Sequence, residues 1–426
     1  MRLRITGGRI LDPAQNLDRI HDLYVAAGRI VAIGDPPEGF TVEREIDARG
    51  RIVCPGLVDL SARLREPGEE HKATIATETR AAAMAGITTL CCPPDTDPVI
   101  DTPAVAELIH QRAEQSGRAR VVCLGALTHG LKAEQLAEMR ALKRIGCAGV
   151  SNALSPIANT EVLRRAMEYA ATCDLTLFLH PEDPWLSQGV MHEGPISTRL
   201  GLPAVPETAE TIALSRDLLL LEQTGVRAHF CRLSARRSVE IIKAAKDRGL
   251  RISADVSAHH LHLIDVDVGD YDSRCHVRPP LRSPRDRDGL REGIKDGVIS
   301  AICSDHQPHD RDAKDAPFEA TEPGISALQS LLPLTLALVD DEVLNLPRAL
   351  AAITCHPARI LGIEAGTLRV GAGADICIFD PEAHWTLTEE NIASAGKNTP
   401  FKGWDFKGKV MHTLFGGKLV YTEASR

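Results

Sequence analysis

The sequence predicts an α/β fold, namely a (β/α)8 TIM barrel with a small β-sandwich domain that is made from both chain ends. The middle of the chain alternates short apolar runs with helical patterns, whereas both ends alternate in the manner of short strands punctuated by Gly and Asp. Neither end has enough strands to bury a sheet face alone. We therefore assign residues 1–54 plus 362–426 to one β-rich composite domain and residues 55–361 to the barrel.

The central segment consists of repeated β-α units. Its apolar runs cover residues 88–94, 120–127, 175–181, 227–234, 251–257 and 299–306. Helical patterns between them cover residues 74–86, 160–172, 207–225 and 238–249, with glycines at the expected C-caps Gly86, Gly225 and Gly249. Strands that are apolar on both faces indicate a parallel sheet, and about eight such units fit into this segment, which favours closure into a barrel.

Composition restricts the function classes. The 426 residues are 43% hydrophobic and 25% charged, as is ordinary for a soluble globular protein, and the net charge of -9 argues against nucleic acid or an anionic membrane as a main partner. The eleven cysteines include no C-x-x-C pair, so we expect no disulfide scaffold and a reducing cytoplasm. The first residues lack the apolar core of a signal peptide, and no apolar run approaches transmembrane length.

Polar side chains gather at one rim of the predicted barrel. They stand at or just past the C-terminal ends of the apolar runs, and they are Arg65, His180, Arg232, His259, His260, Asp305, His306 and His309. Active sites of this architecture are built at that rim. A single histidine at a strand end is more often a hydrogen-bonded rim residue, but so many on one rim indicate descent from an active site.

Several strings resemble dihydroorotases of the amidohydrolase superfamily, over nearly the whole chain. They are PGLVDLSARLREPG at 55–68, CCPPDTDPVIDTP at 91–103, LHPEDP at 179–184, SDHQPH at 304–309 and NTPFKGW at 398–404. The resemblance implies a barrel of the metal-dependent hydrolase type. Its active members hydrolyse a cyclic amide at a centre of one or two zinc ions. A hydantoinase or allantoinase is a possible relative that fits these strings less well.

The family's first two metal ligands are absent. Active members carry His-x-His on the first strand, where residues i and i+2 point to the same side. The resemblance places Ser61 and Arg63 at these positions. A Ser hydroxyl is a poor neutral ligand, and Arg stays protonated with no free lone pair.

Further ligand positions are changed as well. The resemblance places Asn152 and Ala153 where carboxylates stand in the family, and Arg232 where a histidine stands. Only His180 and Asp305 survive, and a zinc site with three or four protein ligands cannot be built from these two. We therefore expect no metal and no other cofactor, and only a vestigial role for Asp305.

The substrate-binding positions are partly kept. The resemblance assigns Arg65 and His309 to the substrate carboxylate, and it marks Asp95 and Arg278 as departures, since both positions hold Asn in the family. At about 4 Å, Asp95 would repel a carboxylate by several kcal/mol at an effective dielectric constant near 20, which offsets much of the attraction from Arg65.

The two arginines at former ligand positions suggest a physical replacement. Both Arg63 and Arg232 are aimed at the place of the metals, where Asp305 would otherwise be a lone buried carboxylate. Buried charges require partners. We hypothesise that the guanidinium groups replace zinc as countercharge; neutral drift of the ligand positions is the alternative.

The chain most resembles the non-catalytic dihydroorotase-like chains that some bacteria assemble with the catalytic chain of aspartate carbamoyltransferase. The resemblance implies a cytoplasmic pseudoenzyme in de novo pyrimidine biosynthesis, present as a homodimer within a larger complex. The alternative is an active zinc-dependent dihydroorotase, or a related cyclic amidohydrolase, with a rebuilt site. A third interpretation is a sensor that binds a small anion through Arg65, His180 and His309.

Overall fold

The structure is a computed structural model that describes residues 2–423. Residue 1 and residues 424–426, which the sequence assigns to the composite domain, lie outside the described residues. The strands are β1 (Arg2–Asp12), β2 (Leu17–Ala26), β3 (Arg29–Ile33), β4 (Arg44–Asp47), β5 (Ile52–Pro55), β6 (Leu57–Asp59), β7 (Ile87–Cys92), β8 (Arg120–Ala126), β9 (Gly149–Ser151), β10 (Thr176–Leu179), β11 (Met191–His192), β12 (Ala204–Val205), β13 (Ala228–Phe230), β14 (Ile252–Ser257), β15 (Ala301–Cys303), β16 (Ile376–Thr386), β17 (Asp405–Phe415) and β18 (Lys418–Thr422).

The helices lie mainly between the barrel strands. They are α1 (Ile75–Met84), α2 (Pro103–Ser116), α3 (Met139–Arg144), α4 (Thr160–Thr172), α5 (Pro195–Leu200), α6 (Thr208–Thr224), α7 (Arg236–Asp247), α8 (Pro284–Lys295), α9 (Leu331–Asp340), α10 (Leu346–Ala352) and α11 (Cys355–Leu361). Short 3₁₀ helices cover Pro13–Gln15, His129–Leu131, Ala258–Leu261, Asp265–Val268, Ser273–Cys275, Asp312–Lys314, Phe318–Ala320 and Leu328–Ser330. Within residues 2–423, none of these helices has both the length and the apolar character needed to cross a membrane.

The parallel sheet confirms the predicted (β/α)8 TIM barrel. Within the described residues its order is β15-β14-β13-β10-β9-β8-β7-β6, with parallel pairing at each step. A parallel bridge between Ala62 and His306 joins the two ends of this order. There the His306 carbonyl oxygen accepts from the Arg63 amide at 2.9 Å, and the His306 amide donates to the Ser61 carbonyl oxygen at 3.1 Å. The barrel therefore closes at residues 61–63, just after β6.

A buried carboxyl group stabilises this seam between the first and last strands. Asp59 Oδ1 accepts a hydrogen bond from the Ser304 amide at 2.8 Å, and the Ser304 hydroxyl donates to the other carboxyl oxygen. The side chain is fully buried. Burial raises the pKa of Asp59 to about 7, although the hydrogen bonds from Ser304 act in the opposite direction.

Local sequence explains the helices, and the four predicted ones lie within two residues of the observed bounds at each end. At α1, Thr74 Oγ1 accepts from the Thr77 amide at 3.1 Å, and the Thr74 amide donates to Thr77 Oγ1 at 3.0 Å, which is a capping box. In α4 the buried residues recur at helical spacing: Leu163, Ala166, Met167 and Ala170. The three predicted C-cap glycines all have positive φ angles.

The barrel strands are shorter than the apolar runs that predict them. Only Ala228–Phe230 of the run 227–234 and Ala301–Cys303 of the run 299–306 form strand. Beyond these strands, Arg232 and Asp305 adopt left-handed backbone angles, with φ of 54° and 48°. The strand hydrogen bonding thus ends just before the residues whose polar side chains point toward the barrel mouth.

Both chain ends contribute to the second sheet. Among residues 2–423 its strands follow the path β18-β17-β16-β5-β1-β2-β3, with β4 paired to β1 as a branch. The central step is the antiparallel pair β5–β16, which joins the two chain ends. Fully buried side chains from both ends share one core, which includes Leu3, Ile30, Val53, Ile376 and Leu414. The strands form one hydrogen-bonded path around this core, and the domain bounds 1–54, 55–361 and 362–426 stay a prediction.

Gly86 allows the turn between α1 and β7 to approach the second sheet. Its φ is 77°, and a Cβ added there would lie 2.5 Å from the Cys377 sulfur. We expect Gly86→Ala to lower the free energy of unfolding by about 2–4 kcal/mol, because it combines a left-handed backbone with overpacking. Gly117→Ala is the control, since its φ is 62° but the nearest atom is 3.7 Å away, and it should cost only about 1 kcal/mol. Equal losses in chemical denaturation would contradict this assignment.

Candidate functional site

Asp305 lies at the centre of the barrel mouth and is almost fully buried. Its Oδ1 accepts a hydrogen bond from Ser61 Oγ at 3.1 Å, and its Oδ2 accepts one from Gln307 Nε2 at 3.1 Å. Arg63 Nη1 and Arg232 Nε each lie 3.6 Å from the same Oδ1. These are ion-pair distances, but they are longer than a hydrogen bond. No nitrogen of Arg63 or Arg232 is hydrogen-bonded to Asp305, so the direct contact that the countercharge hypothesis requires is absent and only the proximity of opposite charges remains.

The backbone explains why both arginines point to this carboxylate. Ser61 and Arg63 follow β6, which ends at Asp59, and they flank Ala62, whose bridge to His306 holds this segment beside the one that follows β15. Arg232 reaches the mouth through its left-handed backbone, which is held by a 2.5 Å hydrogen bond from its amide to Asp255 Oδ1. Such a backbone conformation persists where the surrounding structure determines it.

Arg63 also binds the acidic residue that replaces a family asparagine. Its Nε donates to Asp95 Oδ2 at 2.8 Å. The sequence predicts that Asp95 would confront a substrate carboxylate with a bare negative charge. In the structure this charge is paired with Arg63, so the two departures compensate each other and the predicted repulsion is reduced.

Arg232 is the second cation at the mouth, and its Nη1 donates to Ser61 Oγ at 3.3 Å. Burial is the largest single influence and acts to lower the pKa of Arg232, but the neighbouring acidic groups, led by Asp305, together raise it above its usual value. Ser61 therefore accepts from one arginine and donates to Asp305. Its hydroxyl is fully used inside this network.

Arg278, the other departure from the family pattern, binds Glu182. Its Nε lies 3.0 and 2.9 Å from the two carboxylate oxygens, and its Nη2 also donates to Glu182. His180 Nε2 lies 3.6 Å from the same carboxylate. Burial acts to raise the pKa of Glu182, but His180 and Arg278 lower it to about 2. Sequence reasoning missed Glu182, although it stands two residues after His180 in the LHPEDP string.

Arg65 and His309 lie together at the rim, as the resemblance implies. Arg65 Nε donates to the Pro308 carbonyl oxygen at 2.9 Å, and its Nη1 donates to Glu69 at 2.7 Å. Its Nη2 lies 3.0 Å from His309 Nε2. Burial, followed by the charge of Arg65, lowers the pKa of His309 to about 2. Because each terminal group of Arg65 already has a protein partner, this pair offers little to an incoming anion.

Asn152 and Ala153 have structural roles at the former carboxylate positions. Asn152 Oδ1 accepts from Thr128 Oγ1 at 2.8 Å, and its Nδ2 donates to the Ser155 carbonyl oxygen at 2.8 Å. Ala153 has a φ of 50°. The side-chain amide of Asn152 therefore stabilises the surrounding loop through these hydrogen bonds.

The remaining predicted histidines bind protein groups. His306 Nε2 lies 2.8 Å from Glu78 Oε2, and its Nδ1 accepts from the Ala327 amide at 3.0 Å. His259 and His260 both contact the Ser257 hydroxyl, at 3.1 and 2.6 Å. The position of His306 at a strand end indicated that it lies at the rim. It did not indicate the direction of the ring, which faces the buried Glu78.

A buried trio below the mouth was also missed by sequence reasoning. The side-chain atoms of His229, Cys231 and Asp255 that could bind a metal ion lie within 4.8 Å of one another. His229 Nε2 is 2.8 Å from Asp255 Oδ2, and its Nδ1 is 2.8 Å from Ser253 Oγ. His229, Ser253 and Asp255 thus form a hydrogen-bond network in the barrel interior, and the Cys231 thiol donates to the His229 carbonyl oxygen at 3.9 Å.

The residues at the mouth do not fit the zinc centre that the family resemblance implies. A zinc site takes three or more N, O or S donors with free lone pairs. Here two guanidinium groups with no lone pair lie beside the retained carboxylate, and the Ser61 hydroxyl is hydrogen-bonded between Arg232 and Asp305. Among the described residues, both ring nitrogens of His180 lack a hydrogen-bond partner. One free histidine and one paired carboxylate are too few ligands.

Comparison with known sequences identifies the family to which the chain belongs. Residues 50–238 match the family described as Dihydro-orotase-like, and residues 326–421 match the Amidohydrolase family. A dihydroorotase-like protein of Pseudomonas aeruginosa is 50% identical over 99% of this chain and 100% of its own length. The chain belongs to the dihydroorotase-like family of amidohydrolases. A dihydroorotase of Syntrophotalea carbinolica is 42% identical over 99% of each chain.

Solved structures with the same fold include more distant members of the superfamily. An L-hydantoinase (dihydropyrimidinase) from Arthrobacter aurescens superimposes with a TM-score of 0.87 at 22% identity, covering 99% of this chain and 96% of its own. A D-hydantoinase gives a TM-score of 0.82 at 23% identity. This likeness shows that the dihydroorotase-like chain has the amidohydrolase barrel and strand domain.

Asp305 provides a direct test of the buried ion pairing. Asp305→Asn keeps the side-chain shape but removes the charge that faces Arg63 and Arg232. Removing one partner from a buried ion pair costs about 3–5 kcal/mol, so we expect a loss of about 3 kcal/mol or more in the free energy of unfolding. Ser61→Ala is the control and should cost about 1 kcal/mol, because it removes only hydrogen bonds. Unchanged or increased stability of Asp305→Asn in urea denaturation would rule out the pairing.

The buried histidines predict loss of stability in mild acid. Burial, followed by the charge of Arg232, lowers the pKa of His259 to about 3, whereas an unfolded histidine protonates near pH 6.5. The unfolded state then binds more protons, so stability falls as the pH drops below about 6.5, by about 2 kcal/mol at pH 5 for this group. We expect His259→Gln to lose less stability between pH 7 and pH 5 than the unmodified protein. His71→Gln, at an exposed position, should behave like the unmodified protein in the same thermal scans.

Proposed function

We propose that this protein is a catalytically inactive dihydroorotase homologue that acts as a structural, assembly subunit of aspartate carbamoyltransferase in de novo pyrimidine biosynthesis. One observation carries the inactive part of this proposal: Asp305 is paired with Arg63 and Arg232 where the family holds its metals. The partner follows from the sequence resemblance alone. The cytoplasmic location and the absence of a metal or other cofactor belong to the same proposal.

The chemistry of the mouth supports inactivity. In the active family, a metal polarises the amide carbonyl and brings the pKa of a bound water from 15.7 to roughly 7. A guanidinium group coordinates no hydroxide, and Asp305 is held by Ser61, Gln307 and two cations. This carboxylate is therefore a poor general base, and the largest source of rate enhancement is missing.

The second candidate function is an active cyclic amidohydrolase with a rebuilt site. It is favoured by the dihydroorotases that are 42% identical over the whole chain, and by the free ring nitrogens of His180 among residues 2–423. This alternative requires Arg63 and Arg232 to move away from Asp305 so that a metal can enter. An anion sensor has less support, because the donors of Arg65 are used by the protein.

Catalytic assays and metal analysis distinguish the two candidates. We expect no detectable interconversion of dihydroorotate and carbamoyl aspartate in either direction, with or without added zinc, and no stoichiometric metal in the purified protein. The physical reason is that the mouth supplies cations where ligands are needed. Zinc-dependent turnover of about 1 per second or more would show an ordinary enzyme and end the pseudoenzyme proposal.

Repair of the ligand set is the matched control for this assay. Arg63→His alone should restore nothing, because ligands act as a set. Ser61→His with Arg63→His still leaves Arg232 directed at the metal position. We expect detectable zinc binding only when Arg232→His and either Asn152→Asp or Ala153→Asp are added. Tight zinc binding and turnover by the double variant alone would show that Arg232 does not have the role assigned here.

The assembly role predicts a stable complex. We expect a homodimer that binds trimers of the carbamoyltransferase catalytic chain, because two-fold contacts crossing three-fold contacts give a closed particle. Each obligate interface should bury about 2,000 Å² or more in total. Co-expression followed by size-exclusion chromatography with light scattering measures the complex, and the carbamoyltransferase chain should be unstable or poorly active alone.

A variant of the mouth separates assembly from ligand sensing. Ser61→Ala changes the mouth but no surface, so a scaffold carrying it should still form the complex. If the two chains elute separately at micromolar concentration, and the carbamoyltransferase is fully active without this protein, the assembly role is wrong.

A further inference from the structure

Two cysteines face each other where the two chain ends meet. In the antiparallel pair of β5 and β16, Cys54 lies directly opposite Cys377. Opposed residues of antiparallel strands have Cα atoms about 4.5–5.5 Å apart, within the span of about 4.4–6.8 Å that a disulfide requires. Because directly opposed residues of an antiparallel pair point to the same face of the sheet, the two thiols lie side by side. All cysteines of residues 2–423 are free thiols in the structure.

The pair lies at the junction of the two domains. Both side chains have 0% exposure, and the Cys377 sulfur packs against the Gly86 turn between α1 and β7. β5 belongs to the N-terminal segment and β16 to the C-terminal segment. A covalent bond at this position would therefore tie the chain ends together beside the barrel.

We propose that Cys54 and Cys377 form a redox-modification site, at which a peroxide converts the two thiols into a cross-strand disulfide. One thiolate attacks a peroxide oxygen, the O–O bond breaks, and a sulfenic acid and water result. The second sulfur then attacks the sulfenic sulfur, the S–O bond breaks, and a second water leaves as the S–S bond forms. The two thiols are oxidised, and one hydrogen peroxide is reduced to two waters.

The reaction is slow in the closed fold. The neighbouring Cys377 thiol, followed by burial, raises the pKa of Cys54 well above its usual range, so little thiolate is present. Oxidation therefore proceeds through transient opening of the β5–β16 pair. Once formed, the bond constrains the unfolded chain over the long segment between the two cysteines, so the oxidised form unfolds at higher temperature.

Another pair provides the internal comparison. Cys92 and Cys123 are opposite each other on the parallel strands β7 and β8. The Cys92 thiol, however, donates to the Pro93 carbonyl oxygen at 3.5 Å and so is directed along its own chain. Cys91 and Cys92 are adjacent in one strand, where successive side chains point to opposite faces. Geometry therefore favours Cys54 and Cys377 over these thiols.

Peptide mapping after oxidation tests the site. The full chain is treated with hydrogen peroxide, denatured, alkylated and digested. We expect two of the eleven thiols to be lost, one cross-linked peptide pair containing Cys54 and Cys377, a higher unfolding temperature, and reversal of all three by dithiothreitol. Cys54→Ser and Cys377→Ser should each abolish the cross-link, and Cys92→Ser should leave it intact.

A second experiment addresses the case in which hydrogen peroxide does not reach the two buried thiols of the folded chain. The denatured, reduced chain is refolded in a glutathione redox buffer, so that both thiols are exposed before the sheet forms. Formation of the Cys54–Cys377 bond in either arm supports the site. A cross-link between Cys92 and Cys123 in its place, or the persistence of all eleven thiols in both arms, would overturn it.

Discussion

The arrangement of the barrel mouth depends on one constraint, namely that the buried Asp305 carboxylate must have positive partners. Isolated buried charges are costly, and a buried pair is stable only when its geometry and remaining hydrogen bonds are good. Arg63 and Arg232 supply the positive charge, while Ser61 and Gln307 supply the hydrogen bonds. Because Ser61 and Arg63 also carry the backbone contacts that close the barrel, the same few residues join the first strand to the last and neutralise the site between them.

Pairing of opposite charges extends beyond this carboxylate. Asp95 and Arg278, which the resemblance places at asparagine positions of the family, are bound by Arg63 and by Glu182. Each of these charges at the mouth thus has an opposite charge beside it, and neutral drift of the ligand positions stays the alternative explanation for their presence. The pairing is not complete in hydrogen-bond terms, because within residues 2–423 Arg63 Nη1 and Nη2 and Arg232 Nε lack acceptors.

The sequence predicted the barrel and the helices, because periodicity, caps and strand ends are local properties, whereas the positions of the changed ligands came from the family resemblance and stay a prediction. Arg63, Arg232 and Asp305 meet as the resemblance implied. What the sequence could not provide was the partner of each charge. Glu182 and Asp255 come from other units than their partners, Glu69 comes from the same loop as Arg65, and all three contacts depend on side-chain direction. Glu78 likewise draws His306 away from the mouth, although strand position alone placed this ring among the candidate site residues.

The second sheet imposes a delay on the newly synthesised chain. β5 ends at Pro55, and its partner β16 begins at Ile376, about 320 residues later. At roughly 5–20 residues per second, the ribosome needs about 15–60 s to supply that partner. During this time β1 to β3 can form hairpins and β4 can pair with β1, but the edge of β5 and the apolar face beneath it stay open. Unpaired edges of this kind are templates for aggregation, so the N-terminal strands of this chain are candidates for protection by a chaperone until translation is nearly complete.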